Sequence, residues 1–188
     1  VLDDMAERMK RGSNRNPELG LVWRLLAGTG CRMAEVTGLR VEDVDVTGDF
    51  PHIRVRWNPE RRLKTQASIR SVPLVGDALE AAREALRLPR EGDALFPRYA
   101  RERGADTASQ SLMKTLRTVT QNPRHVNHSL RHNMKDCLRE AGVSVLEQNL
   151  ILGHTLGGEG DTAYGGEKAK LAVTSKALAH ALLQAKRL

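Results

Sequence analysis

Residues 16–40 read NPELGLVWRLLAGTGCRMAEVTGLR. Asn16 is a good helix N-cap, and Pro17 suits the first helical position, where its missing N–H would have had no intrahelical partner. Leu19, Val22, Trp23 and Leu26 then fall at i, i+3, i+4 and i+7, a core-facing stripe of an α-helix. Gly28 and Gly30 punctuate its end, and a short helix carries Arg32, Glu35 and Val36 towards Gly38. An arginine and a glutamate three apart share one helical turn, so the carboxylate can hold the guanidinium in one orientation as a pre-set anion clamp. An ordinary surface ion pair has the same spacing.

Outward from this stretch the texture is mostly helical. The opening residues to about Lys10 form a helix, with Asp3 and Asp4 at its positive end. Residues 52–57 and 69–74 alternate in the manner of strands, and Asn58-Pro59 and a basic turn with Arg61, Arg62 and Lys64 lie between them. They predict a small antiparallel sheet. Helices are expected over about 77–88, stopped by Pro89, and over about 108–121. A further helix is expected from an Asn127 cap to about Ala141, with Gly142 behind it. Ser144 and Glu147 form a capping box that opens a short helix to about Leu152. After a glycine-rich loop, the last helix runs from about Glu167 to the end with Leu171, Leu178 and Leu182 on one stripe. The fold class is mostly α (α+β), one domain over 1–188 with a small antiparallel β-sheet. The helix over 167–188 packs either on its own domain or on a neighbouring subunit.

At 188 residues, 40% apolar and 28% charged, the chain can bury a globular core. Thirty Lys and Arg against 23 Asp and Glu give a net charge of +7, and the pI is about 9.8. That excess favours a polyanionic partner, of which nucleic acid is the commonest. No run approaches the length of apolar sequence that spans a membrane, and no charged-then-apolar leader opens the chain. Cys31 and Cys137 are distant in sequence and form no CxxC, so neither a disulfide framework nor a thiolate zinc site is indicated. A reducing, cytoplasmic setting is expected.

Several residues invite chemistry. His128-Ser129-Leu130-Arg131 places an imidazole and a guanidinium at a helix N-terminus, where free N–H groups already favour an anion. Arginine clamps phosphate oxygens in pairs, and histidine moves a proton near neutral pH. Leu152-Gly153-His154 stands at a helix end, and Tyr164, one of only two tyrosines, follows that histidine by ten residues. Singly, each has a plainer reading: a solvated cap, a packing tyrosine, a solvated lysine.

Together and in this order, the blocks resemble the catalytic domain of the tyrosine recombinases, the phage integrase family. The matching residues are Thr29 to Glu35 with Gly38 to Asp45, then Lys64-Thr65 with Arg70 to Leu74, then His128 to His132, Leu152 to His154, and Tyr164-Gly165. The resemblance implies that Arg32 and Arg131 hold the non-bridging oxygens of a scissile phosphate, with His154 adding a hydrogen bond. It makes Tyr164 the nucleophile that forms a 3′-phosphotyrosyl link, Lys64 the acid that protonates the departing 5′-oxygen, and His128 a proton acceptor for the phenol. Glu35 would support Arg32 without touching DNA. Because the phosphotyrosine stores the bond energy for religation, the resemblance implies no cofactor, no ATP and no metal.

The implied partner is double-stranded DNA, engaged as a homo-tetramer by a protein that is a monomer when isolated. The implied role is integration or excision of a prophage or mobile element, with chromosome-dimer resolution and site-specific inversion, which use the same core, as alternatives. The family usually carries a helical DNA-gripping domain ahead of the catalytic one, and the first residue is Val1, so a fragment of a longer protein is expected. The loop between His154 and Tyr164 is about one residue longer than the family's common form, and Tyr164 is expected to be mobile or displaced without DNA. Three rivals stand beside this reading: a type IB topoisomerase-like strand transferase, a catalytically inactive DNA-binding module, and a metal site of His125, His128, His132 and Asp136.

Overall fold

The computed structural model describes residues 1–12, 16–58, 68–154 and 165–185. Lys64, Tyr164 and the basic turn between the expected strands lie outside these residues, as does the glycine-rich loop. Eight α-helices are described: α1 (Leu2–Gly12), α2 (Pro17–Thr29), α3 (Met33–Thr37), α4 (Gly76–Arg87), α5 (Gly104–Arg117), α6 (Ser129–Glu140), α7 (Val145–Leu152) and α8 (Glu167–Ala185). Three antiparallel strands, β1 (Val44–Asp45), β2 (His52–Val55) and β3 (Arg70–Pro73), form a sheet in that order. The mostly helical architecture with a small antiparallel sheet is therefore the one expected, and β1 is an addition to it.

Helix α2 begins as its sequence dictates. The Asn16 side chain accepts the Leu19 N–H, and Pro17 occupies the first position. Its apolar face is wider than a single stripe, however. Leu21 and Leu25 are buried along with Val22, Trp23 and Leu26, because α2 is surrounded by α1, α3, α4, α5 and α6. In the sheet, Ile53 pairs with Val72 and Val55 with Arg70, so Ile53, Val55 and Val72 point into the core while Arg54 is exposed.

Two expected boundaries move, each for a physical reason. Helix α5 starts at Gly104 and ends at Arg117, about four residues earlier than expected. The β-branched run Thr118-Val119-Thr120 follows its end, and the Arg117 guanidinium donates to the carbonyls of Asn122 and His125, turning the chain there. The expected Asn127 cap is also corrected. His128 occupies the cap position of α6, and the Asn127 amide instead donates to the Ser109 carbonyl and hydroxyl, tying this loop to α5. Ser144 and Glu147 do form the capping box that opens α7.

The core divides into two clusters. The larger gathers α1, α2, α4, α5 and the sheet around Leu25, Leu39, Ile53, Leu74, Phe96 and Leu112. The smaller joins α6, α7 and α8 through Met134, Leu138, Ile151, Leu152, Leu178 and Ala181. Helix α8 lies on α6, α7 and β3 of its own chain. Its first turn is fastened to the sheet side by Ser71, which donates to Glu167, and by the Lys168–Asp49 ion pair. No described helix is long and apolar enough to cross a membrane.

The clusters meet where α2 ends. Gly30 has φ +67° and returns its N–H to the Leu26 carbonyl, and a Cβ there would stand 2.8 Å from Met134 Cγ and 3.0 Å from Leu152 Cδ2. Both the left-handed backbone and the close approach demand glycine. Gly30→Ala should therefore lower stability by about 2–4 kcal/mol, the sum of backbone strain and overpacking. Thermal unfolding should show Tm falling by roughly 5–15 °C for a domain of this size. An unchanged Tm would mean that the seam can open to admit a methyl group.

Candidate active site

The centre of the site is a carboxylate. Glu35, only 3% exposed, faces two guanidinium groups from different elements. Arg32 precedes α3 and donates through Nη1 to Glu35 Oε1 at 2.7 Å, while its backbone N–H reaches Oε2 at 2.8 Å. Arg70, on β3, donates through Nη1 to Oε1 at 3.2 Å and through Nη2 to Oε2 at 3.0 Å. Burial pushes the Glu35 carboxyl up, but Arg70 and then Arg32 outweigh it and bring it down to about 2. The two cations differ in access. The Arg32 side chain is 34% exposed and that of Arg70 only 7%.

Arg131 is held in another way. It lies in the first turn of α6, between the core residues Leu130 and Met134, and is itself only 6% exposed. Its Nη1 donates to the Gly30 carbonyl at 2.8 Å and its Nη2 to the Leu152 carbonyl at 2.5 Å. Both acceptors are at helix C-terminal ends, where carbonyl dipoles carry partial negative charge. Among the described residues no carboxylate forms an ion pair with Arg131. Burial and the neighbouring Arg32 and Arg70 charges push its guanidinium down to about 10.

Two histidines border these charges. His128 is at the N-terminal cap of α6, with its ring edge-on to His132 at 4.9 Å between centroids. Burial lowers its basicity, with His132, Arg131 and Arg32 adding to the effect. His154 directly follows the α7 cap Gly153 and is lowered by burial, then by Arg131, Lys135, Arg32 and Arg70. Both imidazoles are therefore biased towards the neutral form. Gly153 has φ +67°, and a Cβ there would fall 2.6 Å from Arg70 Nη1, so the turn that presents His154 closes directly over that guanidinium.

Of the site residues expected from sequence, Arg32, Glu35, His128, Arg131 and His154 are thus gathered at the seam between the two core clusters. Lys64 and Tyr164 fall outside the described residues, so their placement is not part of this geometry. Tyr99, the other tyrosine, is buried and accepts a hydrogen bond from the Asn16 amide, away from the cluster. His125 precedes α6 in a turn and its Nδ1 meets the Thr120 hydroxyl at 3.0 Å. Sequence reasoning assigned no role to Arg70. Its signal was strand alternation, which sets Arg70 on the same face as the buried Val72. Cys31 is buried beside it, with Sγ 3.7 Å from Arg70 Nη2, and burial pushes its thiol up, as for an inert packing residue.

Comparison with known proteins gives a consistent picture. The model of the Phage integrase family matches residues 3–159. A relative from Neisseria meningitidis serogroup B, a tyrosine recombinase XerC, is 27% identical over 138 residues, covering 71% of this chain and 43% of that protein. Its counterpart in Neisseria gonorrhoeae is 26% identical, with 71% and 42% covered. The chain thus spans about two fifths of the length of the curated relatives it matches. Among solved structures, XerA recombinase aligns with a TM-score of 0.55 at 18% identity over 96% of this chain and 63% of that one. A XerH site-specific recombinase, bound to its difH substrate in a pre-cleavage complex, aligns with a TM-score of 0.56 at 17% identity over 98% and 50%.

The buried carboxylate makes a pH-dependent prediction. Its ordinary value is 4.5 and its folded value about 2, so the stability it supplies is complete above about pH 4.5 and is lost as pH falls through 2. Glu35→Gln leaves Arg70 buried without its counter-charge and should cost about 3–5 kcal/mol near pH 6. Urea unfolding of both proteins from pH 6 to pH 2 should show that gap closing as the parent carboxylate is protonated. A gap independent of pH would mean that the carboxylate charge does not stabilise the fold.

Proposed function

The chain belongs to the phage integrase family, and from that premise we propose that it is the catalytic domain of a site-specific DNA recombinase that cuts and rejoins strands through a phosphotyrosine. The observation that carries this reading is Arg131, a buried guanidinium paired with helix-end carbonyls in place of a carboxylate. Carbonyl dipoles hold the cation in place without cancelling its charge, so an entering anion meets it undiminished. Arg32, more exposed and beside it, supplies the second cation.

The chemistry follows from where charge develops. A phosphodiester carries one negative charge, and addition of a phenolate raises it to two on the equatorial oxygens. Arg32 and Arg131, already in place, stabilise that state more than the ground state. His154 donates a hydrogen bond to the same oxygens. A phenol with the ordinary pKa of about 10 is a weak nucleophile at pH 7. His128, held towards its neutral form, accepts the Tyr164 proton as the phenolic oxygen attacks phosphorus. The bond from phosphorus to the 5′-oxygen breaks, and Lys64 gives that oxygen its proton. Religation reverses these steps with another strand's 5′-hydroxyl, so no external energy source is needed.

DNA is the substrate in this reading, in keeping with the net charge of +7, and strand exchange engages four copies on the DNA. A topoisomerase-like enzyme would use the same residues without stable assembly, and sedimentation with and without DNA separates the two. The cellular role we assign is integration or excision of mobile DNA, on the strength of the family resemblance.

The test is a pool of nicked duplexes of randomised sequence, in which cleavage releases a short strand and traps the covalent complex. The parent should give a protein–DNA adduct on a denaturing gel, and Tyr164→Phe should give none. Arg131→Gln should form it about 10²–10³-fold more slowly, the cost of removing one donor to a developing oxyanion. An adduct from Tyr164→Phe would reject the assignment of the nucleophile. Non-covalent affinity should fall steeply with salt as phosphate contacts release counterions, and a flat salt dependence would argue against DNA as the partner.

A further inference from the structure

Arg70 uses every N–H it has. Nε donates to the Ile151 carbonyl at 2.9 Å. Nη1 donates to the Ser68 carbonyl at 2.9 Å and to Glu35 Oε1 at 3.2 Å. Nη2 meets Glu35 Oε2 at 3.0 Å and the Cys31 sulfur at 3.7 Å. Guanidinium has five N–H groups, so no donor is left over for a substrate. The side chain is nearly sealed from solvent, and the Gly153 backbone closes over it so tightly that a single added carbon would lie 2.6 Å from Nη1. Any part Arg70 takes in the reaction must pass through a group it touches.

The group that matters is Glu35, whose Oε1 is shared between Arg70 and Arg32. If Glu35 had Arg32 as its only cationic partner, the two would form a neutral pair, and the exposed guanidinium would be drawn onto the carboxylate. With Arg70 bound to both oxygens, the triad of two guanidiniums and one carboxylate carries a net positive charge. Arg131, with no carboxylate partner among the described residues, adds a second. Two positive charges match the two negative charges of a phosphodiester under attack.

We infer that Arg70 is a positioning residue that neutralises Glu35, so that Arg32 keeps both its orientation and an uncancelled charge for the scissile phosphate. The inference rests on the strand-transfer reading above. It differs from a plain structural role, in which Arg70 merely staples β3 to the end of α7 through the Ile151 carbonyl. In that case the carboxylate would be incidental to the rate.

The experiment compares the full chain with Arg70→Met, Glu35→Gln and the double variant. The readouts are single-turnover adduct formation on the trapped nicked duplexes and non-covalent affinity for the same DNA, below the unfolding temperature of each protein. Arg70→Met should slow adduct formation by roughly 10- to 100-fold, the range for groups that orient a contacting residue without touching substrate. Adding Glu35→Gln removes the buried anion that Arg70 had balanced, and the double variant should recover about tenfold of that loss. A double variant no faster than Arg70→Met overturns the inference, as does Arg70→Met at the parent rate. If circular dichroism shows Arg70→Met unfolded, Arg70→Lys decides: it keeps the charge and loses the fork. A loss of a few-fold then supports neutralisation, and a loss beyond about 100-fold supports the staple. If the parent itself forms no adduct with any duplex, the strand-transfer reading fails first and the inference with it.

Discussion

Glu35 is the point on which the rest of the site depends. A carboxylate that is almost wholly buried is tolerable only when charge and hydrogen bonds replace the lost water, and two guanidiniums from separate elements do so here. In satisfying that one group, the fold brings the start of α3, strand β3 and the end of α7 into a single arrangement. Arg32 is oriented by it directly. Arg70, answering the same charge, also fastens the Ile151 carbonyl, three residues before His154.

The second cation follows a different rule. Arg131 sits where the C-terminal ends of α2 and α7 converge, and it is stabilised by dipoles, each worth a fraction of a charge. A carboxylate in that place would hold the guanidinium more firmly and cancel it. Burial with no counter-ion among the described residues is costly, and it pushes the Arg131 guanidinium down. Burial first, and then the same positive neighbours, lower the basicity of His128 and His154.

Local chemistry made much of the fold readable. Asn16-Pro17, the Ser144–Glu147 box and the Gly30 stop act over three or four residues, and each element begins or ends where those residues direct. Failures came where a distant partner outbid a local signal. Asn127 is a good cap by type, yet its amide is taken by Ser109 on another helix. Helix α5 ends early because the β-branched run after it meets a turn held by Arg117. The two-residue β1 is too short to show alternation and exists because β2 offers it an edge.

The sequence by itself determined most of the helices, the β2–β3 pair, the basic character and the order of the candidate site residues. Those are properties of spacing and composition, set by interactions along the chain. Only the tertiary structure decided that Glu35 is buried, that Arg70 shares it with Arg32, and that Arg131 is bound by carbonyls in place of an acid. An Arg–Glu pair three residues apart reads the same on an exposed helix as in a buried site. What separates the two is the arrival of β3 and of the ends of α2 and α7, whose contacts span 35 to 101 residues of chain. Desolvation and charge balance belong to that assembly and to no segment of it.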